Sequence, residues 1–219
     1  MIALLVKAVL AYLVGSIVGS LVVGRLRGGI DIRRLGSGNA GGTNALRTQG
    51  RLFAFWVLLI DIGKGWVATA PIAGARLPGL AAGNPRLAAW TVAVCGLAVM
   101  LGHIYPLWHG FRGGKGVATL LGAVLGASPV LLVPMVIVWL LAVMLFGFVG
   151  LASILGAASL AAAAAAGPAP HRAPMLAFGL LSLALIAFTH RSNIARMLGG
   201  TEPRVRRLWL LRGARSRRT

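Results

Sequence analysis

The sequence predicts an all-α integral membrane protein of about seven transmembrane helices, with the N-terminus outside and the C-terminus cytoplasmic. Three observations lead there. Of 219 residues, 58% are hydrophobic and only 11% charged, in apolar runs long enough to cross a hydrocarbon core. The charge is lopsided, with 22 Lys and Arg against 3 Asp and Glu, and the cations flank the apolar runs. In a soluble chain that excess would point to nucleic acid. Beside apolar spans it points to topology and anionic headgroups, so membrane lipids are expected as partners and nucleic acid is not. The single Cys95 excludes an intramolecular disulfide.

The first span is residues 2–23, retained because Lys7 stands alone and no A-x-A cleavage site follows. Its Gly15-x-x-x-Gly19 and Ser16-x-x-x-Ser20 pairs make small-residue faces for close helix packing, and the serines are read as packing groups. A polar loop with six arginines runs from Arg25 to Arg51. The second span, 52–74, carries Asp61 and Lys64. At i, i+3 they share a helix face, and ions inside a membrane must face a polar interior. A buried structural ion pair is expected, with direct ligand contact as the alternative.

The Pro- and Gly-containing loop 75–86 leads to a third span, 87–107. Residues 117–149 are apolar for 33 positions, which as one helix would be about 50 Å, too long for a core near 30 Å. Ser128-Pro129 supplies a break, because the residue before proline avoids helical backbone. Two short spans, 117–128 and 130–147, follow from it. A sixth covers 150–167, a turn forms at Gly167-Pro168-Ala169-Pro170, and a seventh covers 173–189. On this layout the inner segments hold 17 Lys and Arg and the outer loops 3, which sets the orientation. The chain divides into one transmembrane domain, 1–203, and a basic cytoplasmic tail, 204–219.

Three motifs fall on the predicted cytoplasmic face. The first, Ser37-Gly38-Asn39-Ala40-Gly41-Gly42-Thr43-Asn44-Ala45-Leu46-Arg47, is polar and glycine-dense in a greasy chain. Its glycines admit φ > 0 and let N–H groups turn inward to face an anion. Ser37, Asn39, Thr43 and Asn44 add side-chain donors, and Arg47 a permanent phosphate-matching cation. Gly36-x-Gly38-x-x-Gly41 spells a dinucleotide fingerprint, but the charged Asp31–Leu35 precedes it and no acid lies between Asp31 and Asp61, so that reading is rejected.

The second motif is Gly102-His103-Ile104-Tyr105-Pro106 followed by Phe111-Arg112-Gly113-Gly114-Lys115-Gly116-Val117-Ala118-Thr119. Three glycines around Lys115 at the start of a helix make another anion cradle. It is no Walker A loop, since His109 stands where Gly is required and Gly116 where Ser or Thr would hold magnesium. The bland alternative is a flexible turn with a snorkelling lysine. The third motif runs from His190 through Asn193 and Arg196 to Glu202. His190 suits a base, a phosphate donor or a helix-end cap; Glu202, one of only three acids, is expected to pair with an arginine.

Metal chemistry is unsupported by these residue types. Three scattered carboxylates cannot build a magnesium cluster, and His103, His109, His171 and His190 show no ligand spacing with Cys95. No metal and no cofactor is expected. The aspartate-rich signature of CDP-alcohol phosphotransferases is absent, and so is the H-x-x-x-x-D pair of the widespread lipid acyltransferases.

Ser37–Arg47, the GH…P…FRGGKGVAT run of 102–119, and HRSNI…G-x-E from His190 together resemble the three motifs of the PlsY family, bacterial acyl-phosphate:glycerol-3-phosphate acyltransferases of the inner membrane. Asp61-x-x-Lys64-Gly65 and Ser153-Ile154 also resemble family positions. The likeness covers nearly the whole chain, in order. Ala40 stands where many members carry Pro or Ile, and Gly42 where many carry Ala. The family's seven-helix, N-out arrangement agrees with the charge count.

The resemblance implies transfer of a fatty acyl group from acyl phosphate to the 1-hydroxyl of glycerol 3-phosphate, giving lysophosphatidic acid and phosphate, by a protein expected to be monomeric. On that reading Ser37, Arg47 and Lys115, with Gly38, Asn39, Thr43 and Asn44, hold phosphate and offset charge on the leaving group. Gly113, Gly114, Gly116, His190, Asn193 and Ser153 position glycerol 3-phosphate, while Asp61, Lys64 and Glu202 are structural. An acyl phosphate is already activated, so no acyl-enzyme is needed, and the alcohol's proton goes either to substrate phosphate or to His190. The alternative classes are a transporter or scramblase of an anionic solute, for which inverted repeats would be expected, and a headgroup-binding module.

Overall fold

The computed structural model describes residues 1–78, 85–167 and 169–205. Among them every regular element is helical. The expected loop 75–86 and the turn at 167–170 therefore lie partly outside the described residues, as does the basic tail beyond Val205. The chain forms two compact units, Met1–Pro129 and Val130–Thr219.

In the first unit, helices α1 (Ile2–Gly15) and α2 (Gly19–Leu26) occupy the predicted first span, but they are two helices bent by 44°. The break has no proline, is flanked by Gly15-Ser16 and Gly19-Ser20, and is satisfied by tertiary contacts. Lys64 Nζ donates to the carbonyls of Gly15 and Ile17 at 3.0 and 2.8 Å, and Asp61 Oδ1 accepts from the Gly19 N–H at 3.0 Å. Backbone groups freed at membrane depth need such partners, and here a buried charged pair on a neighbouring helix supplies both donors and an acceptor. Ser16 Oγ accepts from Leu107 N–H and Ser20 Oγ donates to Ala40 O, so both serines are tied into the packing.

The loop 25–51, expected to be irregular, contains a 3-10 turn at Ile32–Arg34 and a short helix, α3 (Gly42–Gln49). The polar composition that marks a loop also suits a surface helix, and glycine at Gly42 concealed its start. Helix α4 (Arg51–Val67) continues into a π turn, Ala68–Ile72, where Pro71 lacks an N–H. Helices α5 (Pro85–Ile104) and α6 (Val117–Ala127) complete the unit. Glycines set the closest approaches. A Cβ on Gly122 of α6 would strike the Ile62 carbonyl of α4, and one on Gly102 of α5 would lie 2.9 Å from Ser16 N.

The predicted break is present: α6 stops at Ala127, Ser128 is extended (φ −164°, ψ 93°), and Pro129 opens a 3-10 turn. The second unit packs α7 (Leu132–Phe146), α8 (Val149–Ala165) and α9 (Ala169–Thr189), with a short α10 (Arg191–Leu198) after them. Helix α10 lies within the third motif, whose side-chain pattern alone does not reveal a helix. Gly179 of α9 sits against Ala161 of α8, where an added Cβ would meet the Ala161 Cα at 2.8 Å. By length and apolarity, four of the described helices can cross a membrane, or five if the bent α1–α2 pair counts as one span; α6 and α8 are shorter apolar helices.

Candidate active site

In the first unit the opening motif is organised by Asn44, which is buried at the start of α3. Its Nδ2 donates to the carbonyls of Ile32, Leu35 and Asn39, each at 3.0 Å, and its Oδ1 accepts the Ser37 N–H at 3.0 Å. One side-chain amide thus folds residues 32–39 into a defined loop, as amide side chains do when they replace a backbone partner. Gly36 and Gly38 have φ of 56° and 72°, conformations that favour glycine. The outcome is a surface on which Ser37, Gly38, Thr43 and Arg47 are exposed, Asn39 is half-buried, and Asn44 is the scaffold beneath them.

The second motif lies in the same unit. The N–H groups of Gly113 and Gly114 donate to the carbonyls of Ile104 and His103 at 3.1 Å each. Glycine is required there for packing: a Cβ at Gly113 would strike His103 O and one at Gly114 the His103 ring. Gly116, at φ 89°, caps α6, and the half-buried Lys115 precedes it. His103 in turn rests on the buried ion pair. Its Nδ1 lies 2.7 Å from Lys64 Nζ, which lies 2.9 Å from Asp61 Oδ1. Nδ1 also lies 3.4 Å from Asp61 Oδ1, so the ring is tied to both members of the pair, with its Nε2 beside Gly114. Asp61 and Lys64 form the expected ion pair; His103 completes it, a role its sequence position did not suggest.

Arg33 joins the two motifs. Its guanidinium is held by Asp31 (2.8 to 3.2 Å) and its Nη1 donates to the carbonyls of His109 and Arg112 at 3.0 Å each. The Arg33 side-chain hydrogen bond holds the Asp31 carboxyl below its ordinary value, and the same bond raises Arg33. Neither residue is legible as a site residue from sequence, where Asp31–Leu35 reads only as a charged segment.

In the second unit the third motif forms a compact polar array. His190 is buried at the N-terminus of α10, with Nδ1 2.8 Å from the Ile186 carbonyl. Since the carbonyl can only accept, a neutral ring keeps its lone pair on Nε2. Asn193 Nδ2 donates to Glu202 Oε1 at 2.6 Å, and Arg196 Nε donates to Glu202 Oε2 at 2.6 Å. Glu202 thus pairs with an arginine, as expected, and also orients Asn193. Gly150 of α8 lies under Asn193, where a Cβ would come within 3.0 Å of the Asn193 Cβ. Ser153 is buried one turn further along α8 and donates to Val149 O at 2.8 Å.

Helical in every described element, with apolar helices long enough to cross a membrane, the chain has the architecture of a multi-pass membrane protein. Comparison with known proteins narrows that class. The Glycerol-3-phosphate acyltransferase family matches residues 5–200, and the chain belongs to that family. It is similar to glycerol-3-phosphate acyltransferases of Chlorobaculum tepidum (36% identical, covering 94% of this chain and 97% of that one) and Synechococcus sp. strain JA-3-3Ab (42%, 94% and 95%). That of Bordetella pertussis is 43% identical, covering 90% and 89%. Among solved structures it resembles PlsY, an integral membrane glycerol 3-phosphate acyltransferase, in its glycerol 3-phosphate form (TM-score 0.78, 35% identity, 92% of this chain and 94% of that one). The lysophosphatidic acid form is similar at TM-score 0.75 and 34% identity, with the same coverage.

Proposed function

We propose that the protein transfers a fatty acyl group from acyl phosphate to the 1-hydroxyl of sn-glycerol 3-phosphate. The hydroxyl oxygen attacks the acyl carbonyl carbon, the bond from that carbon to the phosphate oxygen breaks, and phosphate leaves with the electron pair. The alcohol's proton passes to that phosphate, so the products are lysophosphatidic acid and inorganic phosphate. The observation that carries this reading is the pairing, in one unit, of two cation-bearing loops around Arg47 and Lys115, for a reaction in which donor and acceptor each bear a phosphate.

In this reading Ser37, Arg47 and Lys115 hold phosphate and offset the charge that grows on the leaving group, helped by Gly38, Asn39 and Thr43. Asn44 acts by shaping their loop, and Gly113, Gly114 and Gly116 by setting the course of the Lys115 segment. His190, Asn193 and Ser153 position glycerol 3-phosphate. The helices make seven spans, with α1 and α2 as one broken span and α6 and α8 as short ones. The 17 to 3 division of Lys and Arg supports an N-terminus outside, and hence an active site on the cytoplasmic face of the bacterial inner membrane. The protein works as a monomer.

The deciding experiment measures phosphate release from purified protein in detergent, with palmitoyl phosphate, with and without glycerol 3-phosphate, and with acyl-CoA as a parallel donor. Release that needs both substrates and persists with chelator is expected, and Lys115→Ala is expected to lower it by about 100-fold. Turnover with acyl-CoA alone would overturn the donor assignment. Folded protein inactive with either donor would favour a transporter of an anionic solute.

A further inference from the structure

The turn before the Lys115 loop carries unusual backbone. Gly110 and Phe111 both have positive φ, 64° and 57°, and Phe111 is the one non-glycine residue among those described in that region of conformational space. A phenylalanine in left-handed backbone is disfavoured by its Cβ and persists where its surroundings hold it. Its side chain is exposed, so no burial of the ring offsets the strain. Backbone bonds secure both sides of this turn: His109 and Phe111 N–H groups donate to Pro106 O, and Gly113 and Gly114 donate to Ile104 and His103.

The carbonyls of His109 and Arg112, which bracket Gly110 and Phe111, are both taken by Arg33 Nη1 at 3.0 Å. Arg33 is itself locked, its Nε and Nη2 on Asp31 and its own N–H on Asp31 Oδ1 at 3.0 Å. Its backbone belongs to the opening motif's support, because Asn44 holds the carbonyl of neighbouring Ile32 and the Arg33 carbonyl lies 3.4 Å from where a Gly38 Cβ would be. A single rigid fork therefore runs from the Ser37 loop to the strained turn that leads into Lys115.

We propose that Arg33, oriented by Asp31, is a positioning residue that holds the 106–112 turn in its left-handed form and so sets where Lys115 stands relative to the Ser37–Arg47 loop. This rests on the acyltransferase reading given above. Lysine cannot replace the fork. It has the charge but not the planar donors that engage Asp31 and two carbonyls together.

The test uses full-length protein in detergent and the variants Arg33→Lys and Asp31→Asn, with two readouts. Deuterium uptake by peptides covering 107–116 is expected to quicken in both variants while peptides covering 51–67 stay as in wild type. With palmitoyl phosphate and glycerol 3-phosphate, KM for at least one substrate is expected to rise about tenfold in Arg33→Lys, with kcat within about threefold, the size of effect that one or two charge-assisted hydrogen bonds support. Unchanged uptake at 107–116 overturns the proposal. Quickened uptake with unchanged KM also overturns it, because the clamp would then hold a turn that positions nothing. Should wild type fail to turn over, the acyltransferase reading falls, and KM is replaced by inorganic phosphate affinity measured by calorimetry: weaker binding in Arg33→Lys supports the clamp and equal binding overturns it.

Discussion

Asp61 Oδ1 accepts the backbone N–H of Gly19 at 3.0 Å, on the far side of a break in the first apolar segment. Lys64, 2.9 Å from that same oxygen, satisfies the carbonyls of Gly15, at the end of α1, and Ile17, within the break. One turn of α4 thus replaces the hydrogen bonds that a continuous helix would have made for itself.

Removing one partner leaves the other buried and uncompensated. Lys64→Met is expected to destabilise the protein by about 3–5 kcal/mol, read as a fall in the thermal unfolding midpoint in detergent. Asp61 Oδ2 is buried without a hydrogen-bond partner, so the pair itself is not optimised for stability. The double variant Asp61→Leu/Lys64→Met is therefore expected to lose less than the Lys64→Met single. Equal or larger loss in the double would contradict this account.

Asn44 supplies the opening loop with one acceptor and two N–H groups, shared among three carbonyls. Asn44→Asp keeps the acceptor for Ser37 N–H but turns a second oxygen toward three carbonyls, each left without its donor. It is expected to lower kcat/KM by at least about 100-fold, given about 1–3 kcal/mol for each unsatisfied group. A variant within twofold of wild type in the phosphate-release assay would show that the loop keeps its shape without this amide.

The Arg33 hydrogen bond depresses Asp31 below its ordinary value near 3.8, although burial opposes the shift. A carboxylate with a lowered folded pKa contributes fully above its ordinary value, and its contribution is lost only as pH falls through the folded one. Across roughly pH 5 to 8 Asp31 stays ionised, so the ratio of activity between wild type and Asp31→Asn is expected to be flat. A ratio that changes steeply within that window, measured from parallel pH–rate curves, would mean another group governs the clamp.

If departing phosphate takes the alcohol's proton, His190 positions substrate and does not act as the base. His190→Ala is then expected to lower the rate while the pH–rate profile keeps its shape between roughly pH 6 and 9. Loss of one limb of the profile in the variant would assign the base to His190.

What the sequence by itself determined was set by chemistry local to a few residues. Proline stopped α6 after Ala127 because the residue before it cannot stay helical. Apolar runs flanked by arginines marked the membrane-protein class, and dense glycine marked the tight loops around Ser37 and Lys115. The likeness of these motifs to one family carried the family assignment, which comparison over residues 5–200 confirmed. The pairing of Glu202 with an arginine followed from the scarcity of acids alone.

Tertiary structure decided what depends on partners distant in the chain. Residues 2–23 read as one span from length and apolarity, and the partners that satisfy the break, Asp61 and Lys64, come from α4. His103 looked like part of an anion motif, yet its ring supports Gly114 and leans on Lys64. Asn44 looked like a ligand donor, yet it spends its amide on loop backbone. Arg33 and Asp31 carried no signal, since a charged pair two residues apart is ordinary. Their meaning comes from the carbonyls of His109 and Arg112, more than 70 residues on. Hydrogen-bond partners of that kind are set by how helices pack, and no local spacing encodes them.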